Sequence, residues 1–111
     1  MNNFFDETNC AVTISDINGI IIYMNKKSAE VFKEDGGYNL IGKSLFNCHN
    51  NQSIDIIKQL TAENKSNTYT IEKNGKKKLI HQMPWCDNGE VKGLIELSIE
   101  IPFNMDHHFR D

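Results

Sequence analysis

The dipeptide Asn-Gly occurs three times in this 111-residue chain, at 18–19, 74–75 and 88–89, each time between runs patterned like β-strands. Asn and Gly both tolerate the positive φ of a tight turn, so this pairing is the strongest short-range hairpin signal a sequence carries. The first copy, Ile17-Asn18-Gly19, joins residues 10–16, rich in β-branched side chains, to the apolar run 20–25. The second joins 68–73 to 76–85, and the third, Asp87-Asn88-Gly89, leads on to 91–101. In that last run Ile95, Leu97, Ile99 and Ile101 alternate with Glu96, Ser98 and Glu100. Strict period two predicts one buried and one wetter face.

Between the first hairpin and the closing meander the period changes. In 26–33, Ala29, Val31 and Phe32 fit one face of a short helix that Asn25 can cap. Residues 34–39, with Gly36-Gly37, read as a loop, and 40–45 as a compact turn-rich segment. The longest helical signal spans about 51–64, with Ile54, Ile57 and Leu60 at i, i+3 and i+6, Ile56 flanking, and Asn50 or Asn51 as the amino cap. Helices segregated to one face of an antiparallel sheet make an α+β domain, and the length suits one such domain, residues 1–111.

The balance of charge excludes several functions. A net charge of −3 and a single arginine, Arg110, argue against nucleic acid. The longest clean apolar stretch, Ile20 to Met24, is far short of the ~18 residues of a membrane span. The amino-terminal residues carry no basic segment followed by an apolar core, so no secretory signal is read there. Cys10, Cys48 and Cys86 are odd in number and form no CxxC pair, which reads as reduced thiols in the cytoplasm. No nucleophile elbow, phosphate loop or HExxH motif is present, so the expectation is a non-enzyme.

Three pieces in order resemble a known family. Val12 through Asn25, Leu40-Ile41-Gly42-Lys43-Ser44, and Pro84 with Asp87 through Gly93 look like the opening hairpin, central connection and final hairpin of PAS sensor domains. The resemblance covers about residues 5–102. It implies a five-stranded antiparallel sheet of order 2-1-5-4-3, with short helices and one longer helix closing a pocket over one face. A finer resemblance is to small bacterial PAS proteins with a Cys-His pair before the long helix, here Asn47-Cys48-His49-Asn50; haem binding is one implication. The family also implies a homodimer through flanking residues, and a signalling partner in trans is a separate expectation.

The candidate site residues follow from that resemblance and from apolar position. His49 is the candidate axial ligand of haem iron and the one metal candidate, against a capping or surface role beside Asn50. Cys48 is a second candidate ligand, against a role as small core filler. His81 touches the cavity if its face of the strand looks inward; if it looks outward, Ile80, Gln82 and Pro84 line the interior instead. The expected pocket wall is Ile14, Ile22, Phe32, Ile41, Leu45, Ile57, Ile95 and Leu97. The alternative is a core filled by its own side chains, which leaves a dimerisation or docking module. A redox sensor through a thiol is a third reading and requires a lowered thiol pKa.

Overall fold

The three Asn-Gly pairs build two kinds of turn. In the computed structural model, which describes residues 3–48 and 50–111 apart from the side chains of Asn47 and Cys48, Asn74 and Gly75 have φ of 55° and 77°, and Asn88 and Gly89 have φ of 52° and 79°. Two consecutive residues at positive φ match the twist of paired strands. These turns join β3 (Asn67–Lys73), β4 (Lys76–Asp87) and β5 (Glu90–Ile101) into the meander. At 18–19 only Gly19 is at positive φ. There Asp16 Oδ1 accepts from the backbone N–H of Asn18 and Ile20, at 2.9 and 3.0 Å, and holds a wider loop between β1 (Ala11–Asp16) and β2 (Ile21–Met24). A Cβ on Gly19 would sit 2.7 Å from the Phe46 ring, so this loop is packed as well as bent.

The sheet has the order β2-β1-β5-β4-β3 and every pairing is antiparallel, the PAS arrangement expected above. A bulge after Ile14 pairs Tyr23 with Ile14 and Ile21 with Ser15, leaving Ile22 between them.

Helix α1 (Lys26–Val31) starts at Asn25, whose side chain fixes three pieces of backbone. Its Oδ1 accepts from the N–H groups of Ser28 and Val12, both at 2.9 Å. Its Nδ2 donates to the carbonyls of Phe5 and Cys10, at 2.8 and 2.7 Å. One buried amide thus caps the helix, docks it on β1 and ties down the chain before β1; such burial is tolerated because every donor and acceptor is used. Residues 34–39, expected as loop, are largely 3-10 turns, Lys33–Asp35 and Gly37–Leu40. Helix α2 (Asn51–Glu63) is capped by Asn50 Oδ1 on the N–H of Ser53 and ends at Asn64 in the left-handed conformation. Its stripe buries Ile57 and Leu60 against Ile21, Met24, Leu40, Leu45 and Leu94, with Phe32 and Phe46 packed alongside. Among the described residues no helix is long and apolar enough to cross a membrane.

Candidate functional site

The face of the sheet that meets α1 and α2 carries a row of polar side chains. The pairings Thr13–Glu96, Glu96–Gln82 and Gln82–Asn67 put one residue from each of β1, β5, β4 and β3 on a single line. Gln82 Nε2 donates to Glu96 Oε1 at 3.0 Å, and Asn67 Nδ2 donates to Gln82 Oε1 at 3.2 Å. At the other end the hydroxyls of Thr13 and Ser28 lie 2.5 Å apart, linking the row to α1. Thr13, Ser28 and Gln82 are all buried. Buried polar groups cost free energy unless they are hydrogen-bonded, and these are bonded mainly to one another.

Cavities border this row. One of 210 Å³ lies between Phe32 and Tyr69, with Glu96 and Thr13 on its floor and Lys73 and Lys78 among its lining. Two pockets of 10 and 20 Å³ lie under Leu45, and Thr13 and Glu96 border both. Burial pushes the Tyr69 hydroxyl above its ordinary pKa of 10, and the Glu96 charge adds to the effect. A larger cleft of 470 Å³ runs between the first hairpin loop and α2. Its charged side chains are engaged elsewhere, since Asp16 holds its own loop and Lys58 Nζ sits 5.2 Å from the Phe46 ring centre. The row centred on Glu96 is therefore the better site, although the cleft is more spacious.

The expected pocket wall divides. Phe32, Leu45 and Ile57 do gather on the helix side, around the cavities. Ile14, Ile95 and Leu97 are corrected: because Thr13, Glu96 and Ser98 face the helices, alternation turns these three to the opposite face. The orientation left open for His81 is decided the same way. Ile80 and Gln82 look inward, while His81 looks outward with Nδ1 2.7 Å from the Thr68 hydroxyl. Ile22, pushed out by the bulge, is 47% exposed, and Ile41, in the turn after Leu40, is 42% exposed; neither lines a cavity on the helix side. Cys48 belongs to the 3-10 turn Leu45–Cys48, and its side chain, like all of His49, lies outside the described residues.

Glu96 borders all three of the 210, 20 and 10 Å³ cavities, the 470 Å³ cleft opens on the same face beside Ser15, Leu94 and Ile57, and no described histidine or cysteine borders any of them. Among the described residues no group of three or more His, Cys, Asp or Glu gathers to hold a metal ion. Burial also pushes the Cys10 thiol above its ordinary pKa, outweighing a hydrogen bond with the Ser98 backbone that lowers it. That is opposite to what a reactive thiolate needs.

Of the polar row, the sequence reading missed Thr13 and Glu96 and held Gln82 as one of two alternatives. Its signal was present in Thr13, Gln82 and Glu96, which occupy equivalent phases of three adjoining strands.

The family model for the PAS domain matches residues 1–102. The chain belongs to the PAS domain family. Solved structures agree on the fold. The PAS domain of the histidine kinase ThkA is 16% identical with a TM-score of 0.68, covering 83% of this chain and 99% of that one. The Aer2 receptor of Vibrio cholerae, described as a dual PAS-haem oxygen sensor, is 19% identical with a TM-score of 0.64, over 84% of this PAS domain and 95% of that chain. VqmA bound to DPO is 14% identical with a TM-score of 0.70, over 89% of this chain and 55% of that one. No curated protein matches the chain.

Proposed function

We propose that this PAS domain is a signal-sensing module that takes a small polar ligand between the sheet and its helices and passes the bound state to a partner, by binding and without turnover. The observation that carries this reading is the hydrogen-bonded row Glu96–Gln82–Asn67, with Thr13 paired opposite Glu96, beside a 210 Å³ cavity that Glu96 and Thr13 line. A core meant only to be filled has no use for a carboxylate and two amides there, and departures from local design rules concentrate at functional sites. Helix α1 meets the row through Ser28, so a ligand engaging Thr13 or Glu96 changes the packing of that helix. A ligand shifts such an equilibrium only through its differential affinity for the two packings. Among the relatives, Aer2 carries haem and VqmA binds DPO. The cavity here lies below the ~300–1,000 Å³ of sites for drug-sized molecules, which supports a small ligand over a macrocycle.

The test is native mass spectrometry of the protein as isolated, with thermal shifts against a metabolite set, in wild type and in Ser98→Phe, which fills the cavity. Retention of a small molecule, or a saturable rise in Tm, in wild type alone supports the reading. Equal behaviour of the two proteins overturns it. Added hemin is expected to give no saturable Soret band; a band abolished by His49→Ala would restore the haem reading.

A second reading rests on the other face of the sheet. Ile14, Met83, Trp85, Ile95, Leu97 and Ile99 are only half-buried there and form an apolar surface suited to a second copy of the chain. The two readings are compatible, with the helix side receiving the signal and the sheet side carrying it in a homodimer.

A further inference from the structure

The 210 Å³ cavity is charged at both ends with opposite signs. Glu96 lies on its floor, where Gln82 and Thr13 flank it. Lys73 and Lys78 lie farther along the same face, on β3 and β4. The next carboxylate on that face, Glu100, is taken by Lys76 at 3.3 Å. Among the described residues neither Lys73 nor Lys78 has a carboxylate within 4.0 Å. Between the two ends the walls are apolar: Val31, Phe32, Ile71 and Ile80.

The spacing of the ends follows from the register. Lys78 pairs with Glu100, four residues along β5 from Glu96, or ~13 Å at the usual rise of a strand. The flexible four-carbon stem of lysine takes up part of that distance and leaves a gap of a few carbon atoms.

We infer that the ligand of this site is a small linear zwitterion, of which a short ω-amino acid is the simplest form, with its ammonium on Glu96, its carboxylate on Lys73 and Lys78, and its methylene chain between Phe32 and Ile71. The inference rests on the sensor reading above and narrows it to a ligand class. An α-amino acid holds its two charges on adjacent carbons and reaches only one end. A simple amine engages Glu96 alone, and a simple carboxylate the lysines alone.

The experiment is isothermal titration of the full chain with 5-aminopentanoate, pentylamine, pentanoate and norvaline. The variants are Glu96→Gln, the double variant Lys73→Gln/Lys78→Gln, and the cavity-filled Ser98→Phe. Each is checked first for an unchanged far-ultraviolet circular dichroism spectrum and for its Tm without ligand. The expected result is that 5-aminopentanoate binds at least tenfold more tightly than the other three. Glu96→Gln and the lysine double variant should each weaken it by about tenfold, 1.4 kcal/mol, and Ser98→Phe should abolish it. Pentylamine affinity should fall in Glu96→Gln and stay unchanged in the lysine double variant, a pattern that loss of folding cannot produce. Binding of 5-aminopentanoate that ignores Glu96, or that survives in Ser98→Phe, overturns the inference. So does the absence of zwitterion binding when native mass spectrometry finds another molecule displaced by Ser98→Phe; the sensor reading then stands with a different ligand. Absence of any ligand sensitive to Ser98→Phe overturns both.

Discussion

The two faces of this sheet reverse the usual division of labour. The face under the helices, where a core is expected, carries Thr13, Ser15, Gln82 and Glu96; the face with no helix over it carries Ile14, Ile95, Leu97 and Ile99. Apolar packing on the helix side is concentrated at one end, where Ile57 and Leu60 of α2 meet Leu94, Leu45 and Ile21. Burial alone therefore does not mark the core here. A polar row can be buried when its members bond to one another, and apolar residues can stay half-exposed when a further surface is to cover them.

The largest expected effect lies where the two faces meet. A Cβ on Gly93 would fall 1.9 Å from the Ser15 carbonyl oxygen and 2.5 Å from Trp85 Nε1, whose N–H donates to that same oxygen at 2.9 Å. Gly93→Ala must push β1 from β5 or expel the indole, and should cost about 3 kcal/mol, the top of the range for overpacking. Urea denaturation measures it. A loss under ~0.5 kcal/mol, the level of an ordinary surface change, would mean that the strands can part freely.

Next come the faces themselves. Gln82→Leu removes the centre of the row and leaves Glu96 and Asn67 without their bond to it, so the ligand-free protein should lose about 1–2 kcal/mol. Leu97→Gln, at the same depth in the sheet but facing away from the helices, should cost less in the monomer and show its main effect in association, read by sedimentation velocity across concentration. If Gln82→Leu stabilises the protein while Leu97→Gln leaves association unchanged, the contrast between the faces fails.

The smallest effect concerns the chain before β1. The Tyr23 hydroxyl donates to Asp6 at 2.6 Å, and burial, aided by that bond and the Asp6 charge, pushes its pKa up to about 12. Because the folded value is raised above the unfolded one, near 10, the contribution of this bond is complete below pH 10 and fades as pH rises through about 12. Absorbance at 295 nm should show Tyr23 titrating late in wild type and earlier in Asp6→Asn, where burial still holds it above 10, with a small loss of stability that is the same at every pH below 10.

Much of the fold was legible because its signals are local. Asn74-Gly75 and Asn88-Gly89 mark their hairpins by tolerance of positive φ, Asn25 and Asn50 mark helix starts by side-chain length, and Ile57 and Leu60 mark the buried stripe of α2 by period. The site was less legible. Phe32, Leu45 and Ile57 were named because their apolar character agrees with their place beside the cavities; Thr13 and Glu96 were missed because theirs does not, and Gln82 was named only as one of two alternatives.

The amino-acid sequence by itself determined where the strands begin and turn, which residues of each strand share a face, and which family the chain belongs to. Tertiary structure alone decided which face the helices cover. Alternation is symmetric: it groups His81 with Leu79 and Met83, and Gln82 with Ile80, and is silent on which group looks inward. That choice was made by contacts distant in sequence, Ser28 of α1 on Thr13 and Ile57 of α2 near Leu94, which bring the helices down on the polar row and leave Ile14, Ile95 and Ile99 outside.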